Sequence, residues 1–116
     1  MKVHRPSEIP AQPVNAPLFT GGPVTRQTLL TPVASKDFNF GPGARNKMHT
    51  HSSDQVLFVT AGKGTIATET ERQVIVPGDV VHIPSEEKHW HGATPDSAFS
   101  HIALTAKGST TTQVEP

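Results

Sequence analysis

His49, Thr50 and His51, followed by Gln55, place three side chains of metal-binding type within seven residues. Residues two apart on an extended strand project to the same face. His49 and His51 then stand about 6.6 Å apart along the backbone, and their imidazoles can converge on one ion. Gln55 keeps the same parity, on the next strand or after a small irregularity. His89-Trp90-His91 follows a few strands later and can supply the missing nitrogen. Imidazole suits zinc, copper, iron, nickel and manganese in varying degree. The chain has no cysteine, so a metal here is held by nitrogen and oxygen. The competing reading is a set of buried histidines hydrogen-bonded to their neighbours, with Gln55 as a polar core residue.

Three neutral imidazoles and a neutral amide would leave a divalent ion uncompensated. Such a site is a stronger Lewis acid than one with a carboxylate and favours anionic ligands. It also stabilises a trivalent ion poorly, which weakens redox readings. Gln55 cannot accept a proton, so a general base must lie elsewhere. His91 shares the parity of His89, and His101 lies on the final strand with Ala103 and Thr105. An imidazole of ordinary pKa is the natural acid or base near neutral pH. The alternative for both is a supporting hydrogen bond to a ligand or to the barrel mouth. His4 and His82 read as solvent or interface residues. Arg45 and Lys47 either orient an acidic substrate or form a solvated strand edge.

Short strands must position these groups. Asp37-Phe38-Asn39-Phe40 alternates and stops at Gly41-Pro42-Gly43. Asn46–His51 is the first ligand strand, and Gln55–Thr60 is a second with Gln55, Leu57 and Val59 on one face. Ala61-Gly62-Lys63-Gly64 reads as a hairpin turn. Strands over Thr65–Thr70, Gln73–Val76, Val80–Ile83, His89–Ala93 and Ser97–Ala106 follow, with Pro77-Gly78-Asp79 and Thr94-Pro95-Asp96 as turns. Val24–Ala34 is an early strand region that Pro32 confines to an edge or breaks. Residues 1–34 form an extended, Pro-rich N-terminal segment that packs on the barrel or on a partner. Residues 35–106 form the barrel, and 107–116 a polar tail, frayed or weakly docked. No helical period persists. The fold class is all-β, a sandwich or barrel.

With 116 residues the chain makes one domain. Ten basic and ten acidic residues leave no electrostatic footprint for nucleic acid or an anionic membrane. One Trp and no Tyr argue against base-stacking platforms. No apolar run approaches a membrane-spanning length, and the start lacks the apolar centre of a signal peptide. The absence of cysteine fits a reducing cytoplasm.

The wider spacing carries a resemblance. Gly43-x5-His49-x-His51-x3-Gln55-x6-Gly62 is similar to the first motif of the cupin superfamily, with Gln where Glu is usual. Gly78-x5-Pro84-x4-His89 is similar to the second, with Glu86 where glycine is common and Ala93 where asparagine is common. The resemblance, of the single-domain cupin 2 type, covers roughly Asp37 to Thr105. It implies a cupin-type antiparallel jelly-roll barrel (double-stranded β-helix) around a metal whose ligands are His49, His51, Gln55 and His89. It implies one divalent transition metal ion (manganese, iron, nickel or zinc), manganese slightly preferred.

More narrowly, Pro42-Gly43-Ala44-Arg45, Val59-Thr60-Ala61-Gly62, Lys88 to Ala93 and His101-Ile102-Ala103 resemble the small bacterial cupins that include manganese-dependent hydroxynitrile lyases. That resemblance implies a role for His101, and for His91, in moving the cyanohydrin hydroxyl proton, with Thr50 at the pocket wall. Thr105 stands where those lyases have glutamine, and the C-terminal segment is shorter.

The leading expectation is therefore a small metalloenzyme whose divalent ion, held by three histidines and a glutamine, acts as Lewis acid on a small hydroxy or keto compound. A metal-dependent dioxygenase and a non-enzymatic ligand-binding protein are the alternatives. The expected partners are a small-molecule substrate and a second copy of the chain. In that homodimer, residues around Val14 to Leu30 cross to, or pack against, the partner's sheet.

Overall fold

The computed structural model describes residues 1, 3–30 and 34–116; Pro32, expected to limit the early strand, lies outside the described residues. A single 3-10 turn at Pro6–Glu8 precedes thirteen strands among the described residues. They are β1 (Gln12–Pro13), β2 (Phe19–Thr20), β3 (Val24–Leu30), β4 (Ala34–Phe40), β5 (Arg45–Asn46), β6 (His49–His51) and β7 (Gln55–Gly62). After these come β8 (Gly64–Thr68), β9 (Arg72–Ile75), β10 (Val80–Ile83), β11 (His89–Ala93), β12 (Phe99–Thr105) and β13 (Thr111–Gln113). One sheet runs β1-β3-β4-β12-β7-β10; the other runs β13-β6-β11-β5-β2, with β8 pairing β11 and β9. Every pairing is antiparallel. The two sheets form the expected jelly-roll barrel.

Strand alternation turns one side chain in two toward the space between the sheets. Across the first sheet, Val59 pairs His101, which pairs Phe38, and Leu57 pairs Ala103, which pairs Lys36. Val24, Phe40, Leu57, Val59, Ile75, Ile83 and Phe99 are buried in this interior. Phe38, Phe40 and Phe99 supply most of its aromatic volume, with ring centroids 5.9–6.3 Å apart between Phe40 and the other two.

Three expectations change. The 61–64 turn is a corner and not a hairpin, because β7 and β8 belong to different sheets. Gly62 makes the corner possible at φ 74°, where a Cβ would lie 1.9 Å from the carbonyl oxygen of Ala98. Residues 107–116 are not a loose tail. β13 pairs β6 with Thr111 opposite His51 and Gln113 opposite His49, because β6 would otherwise be a sheet edge. The first ligand strand is also interrupted, forming β5 and β6 with Lys47 and Met48 between them.

The N-terminal segment folds back on its own barrel. β2 pairs β5, Phe19 stacks 5.9 Å from Phe38, and Val14 packs on the same core. Gln27 Nε2 donates to the carbonyl oxygens of Pro6 and Ile9, which fastens the first turn to β3. β3 itself is an internal strand of the first sheet, so the barrel begins before residue 35. No helix among the described residues is long and apolar enough to cross a membrane.

Candidate metal centre

The interruption between β5 and β6 sets the site's geometry. Gly92 on β11 pairs Arg45, but His89 pairs His49, so the register shifts by one residue across Lys47 and Met48. Without that extra residue, Asn46 and His49 would point to opposite faces. With it both are buried, Asn46 beside His91 and His49 opposite His89. The irregular backbone is satisfied from both ends of the chain. Lys47 N donates to Leu18 O (2.6 Å), and Met48 N donates to Glu115 Oε1 (3.0 Å). Glu115 is in turn clamped by Arg45, whose Nη2 lies 2.7 Å from Oε2. Gly92 lets β5 approach β11, since a Cβ there would meet Arg45 Cα at 2.4 Å.

Four imidazoles and an amide meet inside the barrel. Ring centroids of His49 and His89 are 4.3 Å apart, of His49 and His51 4.8 Å, and of His51 and His89 5.4 Å. Nitrogens of His49, His89 and His91 all lie within 4.8 Å of one another, a triad able to bind a metal ion. Gln55 is buried on β7 with Oε1 3.2 Å from His89 Nε2. The orientation of the rings is fixed behind them. His49 Nδ1 donates to Lys47 O (2.5 Å), and His89 Nδ1 donates to Glu87 O (2.9 Å). A carbonyl only accepts, so both Nδ1 atoms carry hydrogen and both Nε2 atoms present lone pairs. His51 Nδ1 contacts Thr111 Oγ1 at 3.0 Å.

These residues fit a cation. His89 Nε2 and Gln55 Oε1 are two acceptors facing each other, and His51 Nε2 is buried without a hydrogen-bond partner. A shared positive ion stabilises that arrangement, which burial of bare lone pairs does not. Protonation is not the substitute. Burial, reinforced by His89, lowers His49 to about 3 and His51 to about 4. Burial also lowers His89, against the opposing pull of the Glu87 carbonyl.

His91 and His101 occupy different positions. His91 lines a cavity of about 250 Å³ together with His49, His51 and Gln55. Its backbone N–H donates to Asn46 Oδ1 (2.8 Å), which turns Asn46 Nδ2 toward the ring at 3.2 Å from Nε2. His101 lies behind it, fully buried, stacked on Phe40 at 5.5 Å and edge-on to His91 at 4.7 Å. Neither ring nitrogen of His101 has a hydrogen-bond partner. Burial lowers His101 to about 3 and, with His101 as the next cause, holds His91 well below its ordinary value. Both are neutral at pH 7.

Thr50 is half-buried on β6, and Thr105 pairs Gln55 and lines the cavity. His82 is exposed and bonded to Asp54 at 2.8 Å, and His4 is exposed. Arg45 serves the Glu115 clamp and stacks over Trp90. Sequence reasoning missed Asn46, Arg26 and Lys36. The parity of Lys36 with Phe38 and Phe40 was the available signal for an inward lysine.

The chain matches the Cupin_2 family model, described as a cupin domain, over residues 36–104. It is 48% identical over 73 residues to an (R)-mandelonitrile lyase of Granulicella tundricola, a match covering 62% of this chain and 56% of that protein. The match therefore spans little more than half of that relative. Among solved structures, a cupin-like protein of Thermotoga maritima is 31% identical, with TM-score 0.82 over 89% of this chain and 84% of the other. The polyketide cyclase RemF of Streptomyces resistomycificus, 17% identical with TM-score 0.86 over 100% and 87%, shares the fold.

Proposed function

We propose that this chain, which belongs to the Cupin_2 family of cupin domains, is a metal-dependent lyase acting on a small hydroxy or keto compound. Cleavage of a cyanohydrin to a carbonyl compound and hydrogen cyanide is the reaction it suits best. The observation that carries this reading is the pair of Nδ1–H bonds to Lys47 O and Glu87 O, which leave the Nε2 lone pairs of His49 and His89 free, that of His89 facing Gln55. His51, whose Nε2 is unpartnered, completes the ligand set His49, His51, Gln55 and His89. His91 lines the cavity beside that set and is assigned the proton, which it takes in exchange for the Asn46 Nδ2 contact. A divalent ion held there, manganese in our reading, would supply a Lewis acid able to acidify the substrate hydroxyl.

His91 is the proton acceptor of the cavity. Its ring is neutral, buried and adjacent to the ligand cluster. It takes the cyanohydrin hydroxyl proton as the C–CN bond breaks, the electron pair leaves with cyanide, and the C=O bond forms. The same proton then passes to cyanide, so no further reactant is required. Asn46 holds the ring in place. His101 is packed behind it, edge-on to the His91 ring. Val14, Leu18, Phe19 and Phe38 give the cavity an apolar wall. The relative named as an (R)-mandelonitrile lyase supports the substrate class.

The test is cyanide release from mandelonitrile by chain purified without an affinity tag and loaded with manganese. Metal-dependent release that falls at least about 100-fold in His91→Ala is expected. Oxygen uptake with no cyanide release from any cyanohydrin would replace this reading with a dioxygenase.

A further inference from the structure

Two cations line the same cavity, Arg26 on β3 and Lys36 on β4. Lys36 pairs Thr28, while Arg26 pairs Phe38 two residues along. The two are diagonal neighbours on one face of an antiparallel pair, with backbones about 7–8 Å apart. Both are half-buried, and neither forms an ion pair among the described residues. Among the described residues, no acidic side chain lines the cavity. Asp37, the nearest acid in sequence, alternates to the other side of β4, opposite Gln27. Burial lowers Lys36, and the charge of Arg26 lowers it further, so the two cations feel each other across the wall.

Like charges held together without a counter-charge cost free energy that an anion between them recovers. The ligand cluster on the same cavity is built from neutral groups and adds a further positive charge when an ion is held. We infer that Arg26 and Lys36 form a carboxylate subsite, and that the substrate is a small hydroxy or keto compound, cyanohydrins included, that also carries a carboxylate remote from the oxygen facing His49, His51 and Gln55. This rests on the lyase reading for the cluster and adds the class of substrate.

The register fixes the reach. Gln55 pairs Thr105 on β12 and Lys36 pairs Ala103, with β12 lying between β7 and β4. Two strand spacings and two residues separate their backbones, about 12 Å. The two inward side chains shorten this to the span of a skeleton of about three to five carbons. The Arg26 guanidinium can take both carboxylate oxygens while Lys36 adds a point charge.

Calorimetric titration of the full, manganese-loaded chain tests the subsite. The probes are malonate, succinate and glutarate, each against the monocarboxylate of equal length: propanoate, butanoate and pentanoate. The best dicarboxylate is expected to bind about 10-fold or more tighter than its monocarboxylate, a difference of about 1.4 kcal/mol. Lys36→Met and Arg26→Met should each erase most of that advantage, and Lys36→Arg should restore it. No advantage in the wild type, or an advantage surviving in both Met variants, overturns the proposal. The metal-free chain separates the two readings. Dicarboxylates that still bind there through Lys36, with nothing gained on metal loading, support the subsite and sink the Lewis-acid reading. Monocarboxylates strengthened by metal, with nothing gained from a second carboxylate, do the reverse.

Discussion

At the scale of single residues, the choice of Gln55 matters most. An amide oxygen contributes no charge, so on the proposed ligand set a divalent ion beside His49, His51 and His89 would keep its full charge and its appetite for anions. Gln55→Glu is therefore expected to bind metal more tightly and small anions more weakly. Metal competition with a chelator checks the first, and azide or cyanide titration at equal metal occupancy checks the second. Unchanged anion affinity would show that the neutral shell is not what sets the preference. The second consequential residue is His101, enclosed by Phe38, Phe40, Phe99 and the equally neutral His91. Its folded pKa is about 3 against an ordinary 6.5. The unfolded chain therefore takes up a proton below pH 6.5 that the folded chain refuses down to about 3. Stability on this account is full above pH 6.5 and falls as pH drops through that window. In metal-free protein, His101→Phe should flatten the fall between about pH 6 and 4 by about 1.4 kcal/mol per pH unit. Urea unfolding at several pH values measures it, and an unaltered slope would refute it.

At the scale of elements, the β5–β6 irregularity is held by a distant residue. Glu115 accepts from Arg45 and from the Met48 N–H, and these bonds, Arg45 first, lower its carboxyl from 4.5 to about 2. A depressed carboxylate contributes stability above its unfolded pKa and loses it as pH falls through the folded value. Glu115→Gln should lower the Tm by a few degrees near neutral pH, with the deficit closing between pH 4.5 and about 2. A deficit that persists undiminished at the acid end of that window would assign the effect to packing. The loop before β11 poses a different question. Glu86 adopts φ 68° and donates its N–H to His51 O, so it holds a left-handed position that glycine fills without strain. Glu86→Gly is expected to stabilise the chain by about 0.5–1 kcal/mol. Thermal unfolding checks it, and a lowered Tm would mean that the Glu side chain contributes more than its backbone costs.

At the scale of the whole molecule, the N-terminal segment closes its own cavity while apolar side chains stay exposed elsewhere. Phe58 on β7 and Val80 on the edge strand β10 are a cross-strand pair, 45% and 61% exposed. Val74 and Val76 are 60% and 44% exposed, at and just past the end of the second sheet's edge strand β9. Such edges favour association, and we expect a homodimer mass by light scattering at micromolar concentration. A monomer mass rules that out. Deleting residues 1–22 removes Val14, Leu18 and Phe19 from the cavity wall, and should weaken ligand binding while leaving the mass in proportion.

The sequence alone carried the class of fold and the identity of the chemical groups. Alternation in Gln55–Val59 and in His89–His91, with glycine and proline at the corners, requires strands, because period-two burial has no other regular solution. The spacing of His49 and His51 on one strand face, with His89 later in the chain, pointed to a candidate metal site. What it could not carry were relations between residues distant in the chain. The one-residue shift that sets Asn46 beside His91 and His49 opposite His89 exists only where β11 runs along both β5 and β6. The docking of β13 depends on an otherwise open edge of β6, and nothing in a polar, Thr-rich tail announces that. Arg26 and Lys36 became neighbours, on the cavity that the histidines also line, only when β3 and β4 paired in one register. Local pattern decides which face a side chain takes; only the tertiary pairing decides which other side chains it meets there.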